Sequence, residues 1–535
     1  MTSFRTARLG AFAILFVVAC GADSRPRETA LATPPAPPVP TTQPIAVQAP
    51  IEPPPPAPTI EAETSPEIPT NPAPEAPPPA PRLHAIKGMP SILNVPDKRI
   101  GKYIGYVRTG ESVALRKTTT VPGADCSGGF FAVEPRGYIC NDSFVSLNPS
   151  SEHMIAMAAT APREGPYPYR YAVSNGAPMY NRIPTASERK RFEAVFGPVG
   201  KYEKLPPFLA AHEDLALDEP ITPTEPIPPF LEGRKMIRPN RAGLVRQKIP
   251  RGSMLSYTKA FEADGRTYLL SVDLTAVPAD RVRPFKPSSF HGVWLRGDQT
   301  LPMAWFRQRA RPKWRKLANG AFEQFGVSFP VRTYARLTGQ SIEAGGVKYL
   351  ETKENEGSEV VWIAEDDATV IEARTTLPFL VKEGQKWVIV RITQGTLVAY
   401  EGLKPVFATL ISPGAGGVPV QGIDPVKAST TPLGTFNITF KDRAATMSPE
   451  FGENRSFWIA DVPHTQYFKA PFALHAAYWH ERFGEPTSAG CVNLSPLDAE
   501  TVFQWTDPPV PPGWQGAVGA GASENGPTTA VVIAR

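Results

Sequence analysis

Cysteine is scarce in this sequence, with four residues in 535, and neither sign of charge is in large excess. Lysine and arginine number 56 against 51 aspartate and glutamate residues, which gives a net charge of +5 spread along the chain. Nucleic-acid-binding proteins usually present a clustered basic face. The sequence therefore predicts no nucleic-acid partner.

The sequence also lacks an apolar run long enough to span a membrane, which takes about 20 residues. The apolar run at residues 9–19 is shorter and follows Arg5 and Arg8, an arrangement typical of an export signal. It ends in Val-Val-Ala-Cys20, which resembles the lipobox of bacterial lipoproteins, where the cysteine becomes the lipidated first residue. We expect residues 1–20 to be a lipoprotein signal peptide; the alternative is an ordinary signal peptide with an incidental cysteine.

The residues after Cys20 bear on the destination of such a lipoprotein. Gly21 and Ala22 follow, with no aspartate at the next position after the cysteine. This resembles lipoproteins that reach the outer membrane of Gram-negative bacteria. We therefore expect a periplasmic protein whose membrane partner is reached through an N-terminal lipid anchor.

Proline is the residue in clear excess, with 63 in the chain and 20 among the 48 residues from Pro34 to Pro81. Such a segment cannot form a helix or a sheet ladder and cannot bury a core. An extended chain of this kind rises about 3.1 Å per residue. Residues 21–82 are predicted to be a Pro-rich tether that lifts the folded part away from the membrane.

Short alternating apolar segments separated by turn residues occupy the next part of the chain and predict a mainly β, multidomain fold. Residues 83–150 loosely resemble a bacterial Src-homology-3-like domain, with some other small β domain as the alternative. Residues 151–300 predict a second β-rich module, and residues 301–383 a β-rich connecting module. We expect small β-barrel-like N-terminal modules without a catalytic signature. One helix is predicted at 186–196, with Ser187 as its N-cap.

Cysteine usage separates the remaining three cysteines. Cys126 and Cys140 bracket a short glycine-rich hairpin, and in an oxidising compartment they are expected to pair. A disulfide closing a loop of this size stabilises by about 3 kcal/mol; two buried thiols are the alternative. Cys491 then has no cysteine partner, which makes it a candidate reactive thiol.

The chemistry of a reactive thiol selects the stretch around Cys491. A thiol has a pKa of about 8.5 and needs a neighbouring base to become a thiolate at neutral pH. His475 lies 16 residues upstream on an apolar segment, and Gly490 directly before the cysteine allows close approach of a substrate. Taken alone, the cysteine could be a small buried hydrophobe and the histidine a satisfied core residue.

Three motifs occur in a fixed order here: Thr-Pro-Leu-Gly-Thr-Phe at 431–436, His475, and Ser-Ala-Gly-Cys-Val-Asn-Leu at 488–494. Together they resemble the catalytic domain of the YkuD-type L,D-transpeptidases. The resemblance covers residues 384–510, which leaves residues 511–535 as an expected C-terminal tail. It implies a β-rich catalytic domain at the C-terminus and an enzyme of the cysteine-dependent acyltransferase class.

The resemblance implies a role for each matching residue. Cys491 would be the nucleophile and His475 the general base, oriented by the backbone carbonyl of Ala476. The backbone N–H groups of Gly490 and Cys491 would form the oxyanion hole. Residues expected to contact substrate or shape its loop are Ser488, Asn493, His480, Trp458 and Tyr467.

One departure from the family pattern lies at Ala489, where the family commonly has histidine. His480 could supply an imidazole instead, or it could be an exposed surface residue. The segment 441–470, which contains Trp458, His464 and Tyr467, lies where the family has an insertion over the cleft. It predicts either a lid or a packed loop.

The implied reaction is peptidoglycan cross-linking. Cys491 would form an acyl-enzyme with a tetrapeptide stem, release D-alanine and pass the acyl group to an amine of another stem. Carbapenems would acylate the same cysteine. The alternatives are a carboxypeptidase or endopeptidase with water as the acceptor, and a non-catalytic wall-binding lipoprotein. No metal or diffusible cofactor is implied.

Overall fold

Short β-strands provide most of the regular structure in the computed structural model, which describes residues 80–148, 150–236, 243–447, 457–521 and 523–535. The mainly β fold predicted from the alternating segments is therefore confirmed. The predicted signal peptide, Cys20 and nearly all of the tether lie outside the described residues. Within them, no helix is long and apolar enough to cross a membrane.

Seven strands form the region predicted as the first β domain. Their bounds are β1 (Arg82–Ala85), β2 (Ser91–Leu93), β3 (Tyr103–Tyr106), β4 (Ser112–Ala114), β5 (Phe130–Ala132), β6 (Tyr138–Cys140) and β7 (Val145–Ser146). Strands β4, β1 and β7 make a three-stranded sheet, while β3, β2, β6 and β5 belong to a larger sheet. These strands form open sheets, and the described residues contain no closed barrel.

The next region combines two short helices with eight strands. These are α1 (Glu152–Ala158), β8 (Arg170–Ser174), β9 (Ala177–Tyr180), α2 (Ala186–Glu193), β10 (Val245–Ile249), β11 (Met254–Ala263), β12 (Arg266–Ser271), β13 (Ala276–Pro278), β14 (Val282–Pro284) and β15 (Val293–Trp294). Helix α2 is the predicted helix, but its N-cap is Thr185, which forms a capping box with Glu188, and not Ser187. Short 3-10 helices span Pro207–Glu213, Pro229–Arg234 and Ala279–Arg281.

A seven-stranded antiparallel sheet follows. Its strands are β16 (Met303–Phe306), β17 (Arg311–Lys316), β18 (Phe322–Phe329), β19 (Thr333–Ala344), β20 (Val347–Glu356), β21 (Glu359–Ala364) and β22 (Thr369–Ile371), with a 3-10 turn at Glu365–Asp367. They are ordered β18-β17-β21-β20-β19-β16-β22 across the sheet. This region is built from long hairpins, as the predicted connecting module requires.

The C-terminal region contains ten strands and one helix. These are β23 (Lys386–Arg391), β24 (Thr396–Glu401), β25 (Lys404–Leu410), β26 (Gly434–Asn437), β27 (Phe440–Met447), β28 (Ile459–Lys469), β29 (Phe472–Ala476), β30 (Val492–Leu494), α3 (Pro496–Trp505), β31 (Gly516–Val518) and β32 (Ala530–Ala534). A last 3-10 turn spans Ser523–Asn525.

The expected C-terminal tail is wrong. Strand β32 lies inside a six-stranded sheet ordered β15-β25-β24-β23-β32-β26, where it pairs parallel with β23 and antiparallel with β26. Residues 511–535 therefore complete the C-terminal domain. The apolar Val531, Val532 and Ile533 fill the gap between two strands that are far away in sequence.

One large sheet joins the C-terminal region to the earlier ones. Strand β28 pairs with β11 through Ile459 and Met254, and β31 pairs with β3 through Ala517 and Gly105. Boundaries inferred from composition therefore do not follow the sheets. The segment 441–470 is neither a lid nor a packed loop where it is described, because β27 and β28 pair within this sheet; residues 448–456 lie outside the described residues.

Candidate active site

Two adjacent parallel strands, β29 and β30, carry the predicted catalytic residues. Their register sets His475 opposite Asn493, and Cys491 directly precedes β30. Side chains alternate between the faces of a strand, and residues paired across neighbouring strands share a face. Cys491, Asn493 and His475 are therefore on one face.

The opposite face of this strand pair is apolar. Leu474, Ala476, Val492 and Leu494 are fully buried in one hydrophobic cluster that also contains Val502 of helix α3. This packing anchors the strands without using the polar face. The alternation of apolar and reactive residues along each strand thus positions the site on a rigid support.

His475 is held by the main chain. Its Nδ1 lies 3.0 Å from the carbonyl oxygen of Ala476. Because a carbonyl can only accept, Nδ1 carries the proton of the neutral ring and Nε2 is left as the basic nitrogen. The ring of Trp479 lies against the imidazole with a centroid distance of 6.1 Å. This is the arrangement that the family resemblance implies for a general base.

Cys491 sits at the end of a tight loop and is 2% exposed. It takes no part in the disulfide, which joins Cys126 to Cys140. Gly490 before it has φ +129, and a Cβ at this position would lie 2.6 Å from the ring of Phe472. Only glycine fits here, both for backbone conformation and for space.

The loop before Cys491 is closed by Ser488. The Ser488 hydroxyl accepts a hydrogen bond from the Gly490 N–H at 3.1 Å and donates one to the carbonyl of Cys491. The predicted oxyanion role of Gly490 is therefore corrected, because its N–H already has an acceptor. Serine hydroxyls commonly bond the backbone two residues on. Ser488 accordingly shapes the loop and is not placed as a substrate contact.

His480 is not an exposed residue and is not available as a direct substrate ligand. It is 0% exposed, and burial, followed by the charges of Arg482, His212 and His475, lowers its pKa to about 3. Its Nδ1 accepts from the backbone N–H of Arg482 at 3.2 Å, and its Nε2 lies 3.0 Å from the side-chain amide of Asn493. Both ring nitrogens are engaged inside the protein.

The two aromatic residues predicted to contact substrate have different positions. Tyr467 pairs with Ala473 on β29, two residues before His475, and so shares the polar face. Its pKa is raised by burial, then by the nearby charges of Asp442 and Cys491.

Trp458 is not brought to the site. Its N–H bonds to Ser253 and its carbonyl accepts from Met254, and its side chain packs on the cluster that contains Leu255.

Sequence reasoning missed the aromatic side chains that cover the strand pair. Tyr171 stacks on Tyr478 with a centroid distance of 3.8 Å, and Phe290 stacks on Phe483 at 5.3 Å. All four belong to the buried cluster that contains Cys491. The two partners from the second module lie about two hundred residues upstream, so no local pattern could have identified them.

An ion pair ties the same module to the segment after His475. Arg482 Nε and Nη2 donate to the Asp214 carboxylate at 2.5 and 2.6 Å. The backbone N–H of Leu215 also donates to the carbonyl of Trp479. Among the described residues, no group of three or more His, Cys, Asp or Glu side chains could hold a metal ion.

Comparisons with known proteins agree with the motifs at the C-terminus. Residues 385–533 match the YkuD family, described as the L,D-transpeptidase catalytic domain. The C-terminal region is thus a YkuD-type L,D-transpeptidase catalytic domain, and it extends past the predicted boundary at 510. No curated protein matches the chain.

Solved structures similar to this chain include an L,D-transpeptidase from Stackebrandtia nassauensis, 22% identical over 28% of this chain and 56% of the other, with a TM-score of 0.19. The chain thus spans little more than half of that protein. The catalytic domain of the E. faecium enzyme is 17% identical over 28% and 97%, at 0.21. The Mycobacterium smegmatis enzyme is 14% identical over 38% and 98%, at 0.21.

Proposed function

We propose that this protein is a peptidoglycan L,D-transpeptidase that acts through a cysteinyl acyl-enzyme. The observation that carries the proposal is the placement of Cys491 and His475 on one face of a strand pair, with Nδ1 of His475 bound to the Ala476 carbonyl. That hydrogen bond leaves the basic nitrogen for the thiol. The matched catalytic domain supplies the substrate class, the peptide stems of peptidoglycan.

Acylation follows from this geometry. Nε2 of His475 takes the proton from Sγ of Cys491, and the thiolate attacks the carbonyl carbon at the L-centre of the stem diamino acid. The carbonyl electron pair moves onto oxygen and returns when the C–N bond to D-alanine breaks. The departing amine takes the proton from the imidazolium, which leaves a thioester on Cys491.

Deacylation reverses these roles. An amine of a second stem attacks the thioester carbonyl and gives its proton to Nε2 of His475. The C–S bond breaks, and the thiolate takes the proton back. The aromatic cover formed by Tyr171, Tyr478 and Phe290 makes the surroundings of Cys491 apolar, which disfavours water and favours an amine that arrives with its own stem.

Incubating the protein with a disaccharide-tetrapeptide tests this proposal. Mass spectrometry should show cross-linked dimers and released D-alanine, and Cys491→Ala should form neither. Tripeptide without dimer would instead indicate water as the acceptor. An unchanged substrate would favour a non-catalytic wall-binding protein.

We further propose a periplasmic location with a lipid on Cys20, on the basis of the apolar run and lipobox-like residues at 1–20. The proline-rich segment would then let the catalytic domain reach the wall. Metabolic labelling with a fatty acid should mark the wild-type protein and not Cys20→Ala. Labelling of neither protein would contradict the anchor.

A further inference from the structure

The side-chain amide of Asn493 is held at one end only. Asn493 is 3% exposed and shares the polar face with Cys491 and His475. One end of its amide lies 3.0 Å from Nε2 of His480, while the other end, Oδ1, is buried without a hydrogen-bond partner among the described residues. An unpaired buried polar atom is costly, so a group beside the catalytic pair awaits a ligand atom.

The proton of His480 determines which end of the amide is unpaired. The backbone N–H of Arg482 can only donate, so Nδ1 of His480 is an acceptor and carries no proton. Burial lowers the pKa of His480 to about 3, which keeps the ring neutral at physiological pH. The single ring proton is therefore on Nε2, which must donate to Asn493.

This tautomer fixes the orientation of the Asn493 amide. The structure has Nδ2 facing Nε2 of His480, which sets two N–H donors against each other. A rotation of the amide by 180° places Oδ1 there as the acceptor and preserves the position of every heavy atom. The NH2 group then occupies the buried position that has no partner.

An extra donor at this position answers a shortage in the loop. Oxyanion stabilisation in acyl transfer takes N–H donors at about 2.7–3.1 Å from the developing charge. The Gly490 N–H is bound to the Ser488 hydroxyl, which leaves at most the Cys491 N–H from this turn. Asn493 lies two residues after Cys491 on the same face.

Building on the proposed function, we propose that Asn493 donates its side-chain NH2 to the oxyanion formed on Cys491, and that His480 is a positioning residue that holds the amide in this orientation. During attack by Sγ, the carbonyl electron pair moves onto oxygen and is stabilised by this N–H. The pair returns when the leaving group departs, and Asn493 transfers no proton. The Asp214–Arg482 ion pair steadies the backbone N–H that orients His480.

Single-turnover acylation of full-length protein by a carbapenem tests the donor. Asn493→Ala should slow acylation about 100-fold or more, the usual effect of removing one oxyanion donor. Alkylation of Cys491 by iodoacetamide forms no oxyanion, so its rate should stay within about threefold of wild type. An equal loss in both reactions would mean that Asn493 only supports the fold, which overturns the proposal.

Two substitutions of His480 separate its two nitrogens. His480→Gln places an amide NH2 near the position of Nε2 and should keep acylation within about tenfold of wild type. His480→Asn mimics only Nδ1 and should be as slow as Asn493→Ala. The double variant His480→Asn/Asn493→Ala should be no slower than Asn493→Ala, because both changes remove one interaction.

A matched control is His464→Asn, which alters another buried histidine, bound through Nε2 to the Gly165 carbonyl. It should acylate at the wild-type rate. Equal rates for His480→Gln and His480→Asn would overturn the positioning role while leaving the proposed function intact. A wild-type protein that is never acylated, although its thiol is alkylated, would overturn the proposed function and this inference with it.

Discussion

The two cysteine loops of this protein put the same side chain to different uses. Cys126 and Cys140 lie 14 residues apart on either side of a hairpin, where β5 and β6 pair Phe130 with Cys140 and the two sulfurs bond. Cys491 also follows a glycine and is also buried, but strand pairing brings it His475 and Asn493 instead of a second cysteine. The chemistry of each thiol is thus set by what the sheet places beside it.

The two loops also differ in what holds them together. The first is closed by the disulfide itself. The second is closed by the Ser488 hydroxyl and by backbone bonds from Ser488 to Pro413 and Ala415, none of which uses the Cys491 side chain. Stability and reactivity should therefore separate between the two sites.

The largest effect is expected from removing the nucleophile. Cys491→Ala should lower acylation by at least about 10⁴-fold, as in enzymes that lose a nucleophile. Its melting temperature should change little, because the loop is closed by other groups. Both quantities can be measured on the same sample by mass spectrometry and calorimetry. A large loss of melting temperature would show that the two loops are not so different.

The second effect concerns the base. General base catalysis contributes about 10²–10⁴-fold, so His475→Ala should slow acylation by at least about 10²-fold at neutral pH. Raising the pH toward about 8.5 should restore part of the rate, since more thiolate forms unaided. The test is the acylation rate against pH. A pH profile parallel to that of wild type would remove His475 from the role of base.

The disulfide should show the opposite pattern. Replacing Cys126 and Cys140 together by alanine should cost about 3 kcal/mol of stability for a loop of this size. The rate at which Cys491 is acylated should remain that of wild type in the folded protein. Denaturant unfolding and acylation measured side by side check both parts. A fall in the acylation rate of folded protein would mean that the first region supports the site directly.

The smallest effect compares His475 with a buried histidine that has no thiol beside it. Burial lowers the pKa of His464 from 6.5 to about 4. Between these values the unfolded chain binds a proton that the folded chain refuses, so stability is lost as the pH falls through this window.

In His464→Gln, the loss of stability between pH 6.5 and pH 4 should be smaller than in wild type. Urea unfolding at the two pH values measures the difference. Equal losses in the two proteins would indicate that His464 is not held neutral in the fold.

Local sequence pattern was sufficient for much of this structure. Alternating apolar residues predicted strands at 386–390 and 396–401, and the hairpin turn at Glu401-Gly402 is present between β24 and β25. The disulfide lies within a span of 14 residues. The order of motifs around His475 and Cys491 was enough to identify the catalytic domain. Each of these features depends on residues that are close together or on a fixed motif.

Other features depended on contacts between distant segments. Only the folded chain shows that β32 lies between β23 and β26, that His480 is buried against Asn493, and that Ser488 has taken the Gly490 N–H. Periodicity reports which face of a strand is buried, but not which strand comes to lie next to it. The sequence by itself determined the reactive residues and the β architecture. The tertiary structure decided their partners, because hydrogen-bond acceptors and buried surfaces are assigned only when strands from separate parts of the chain pair.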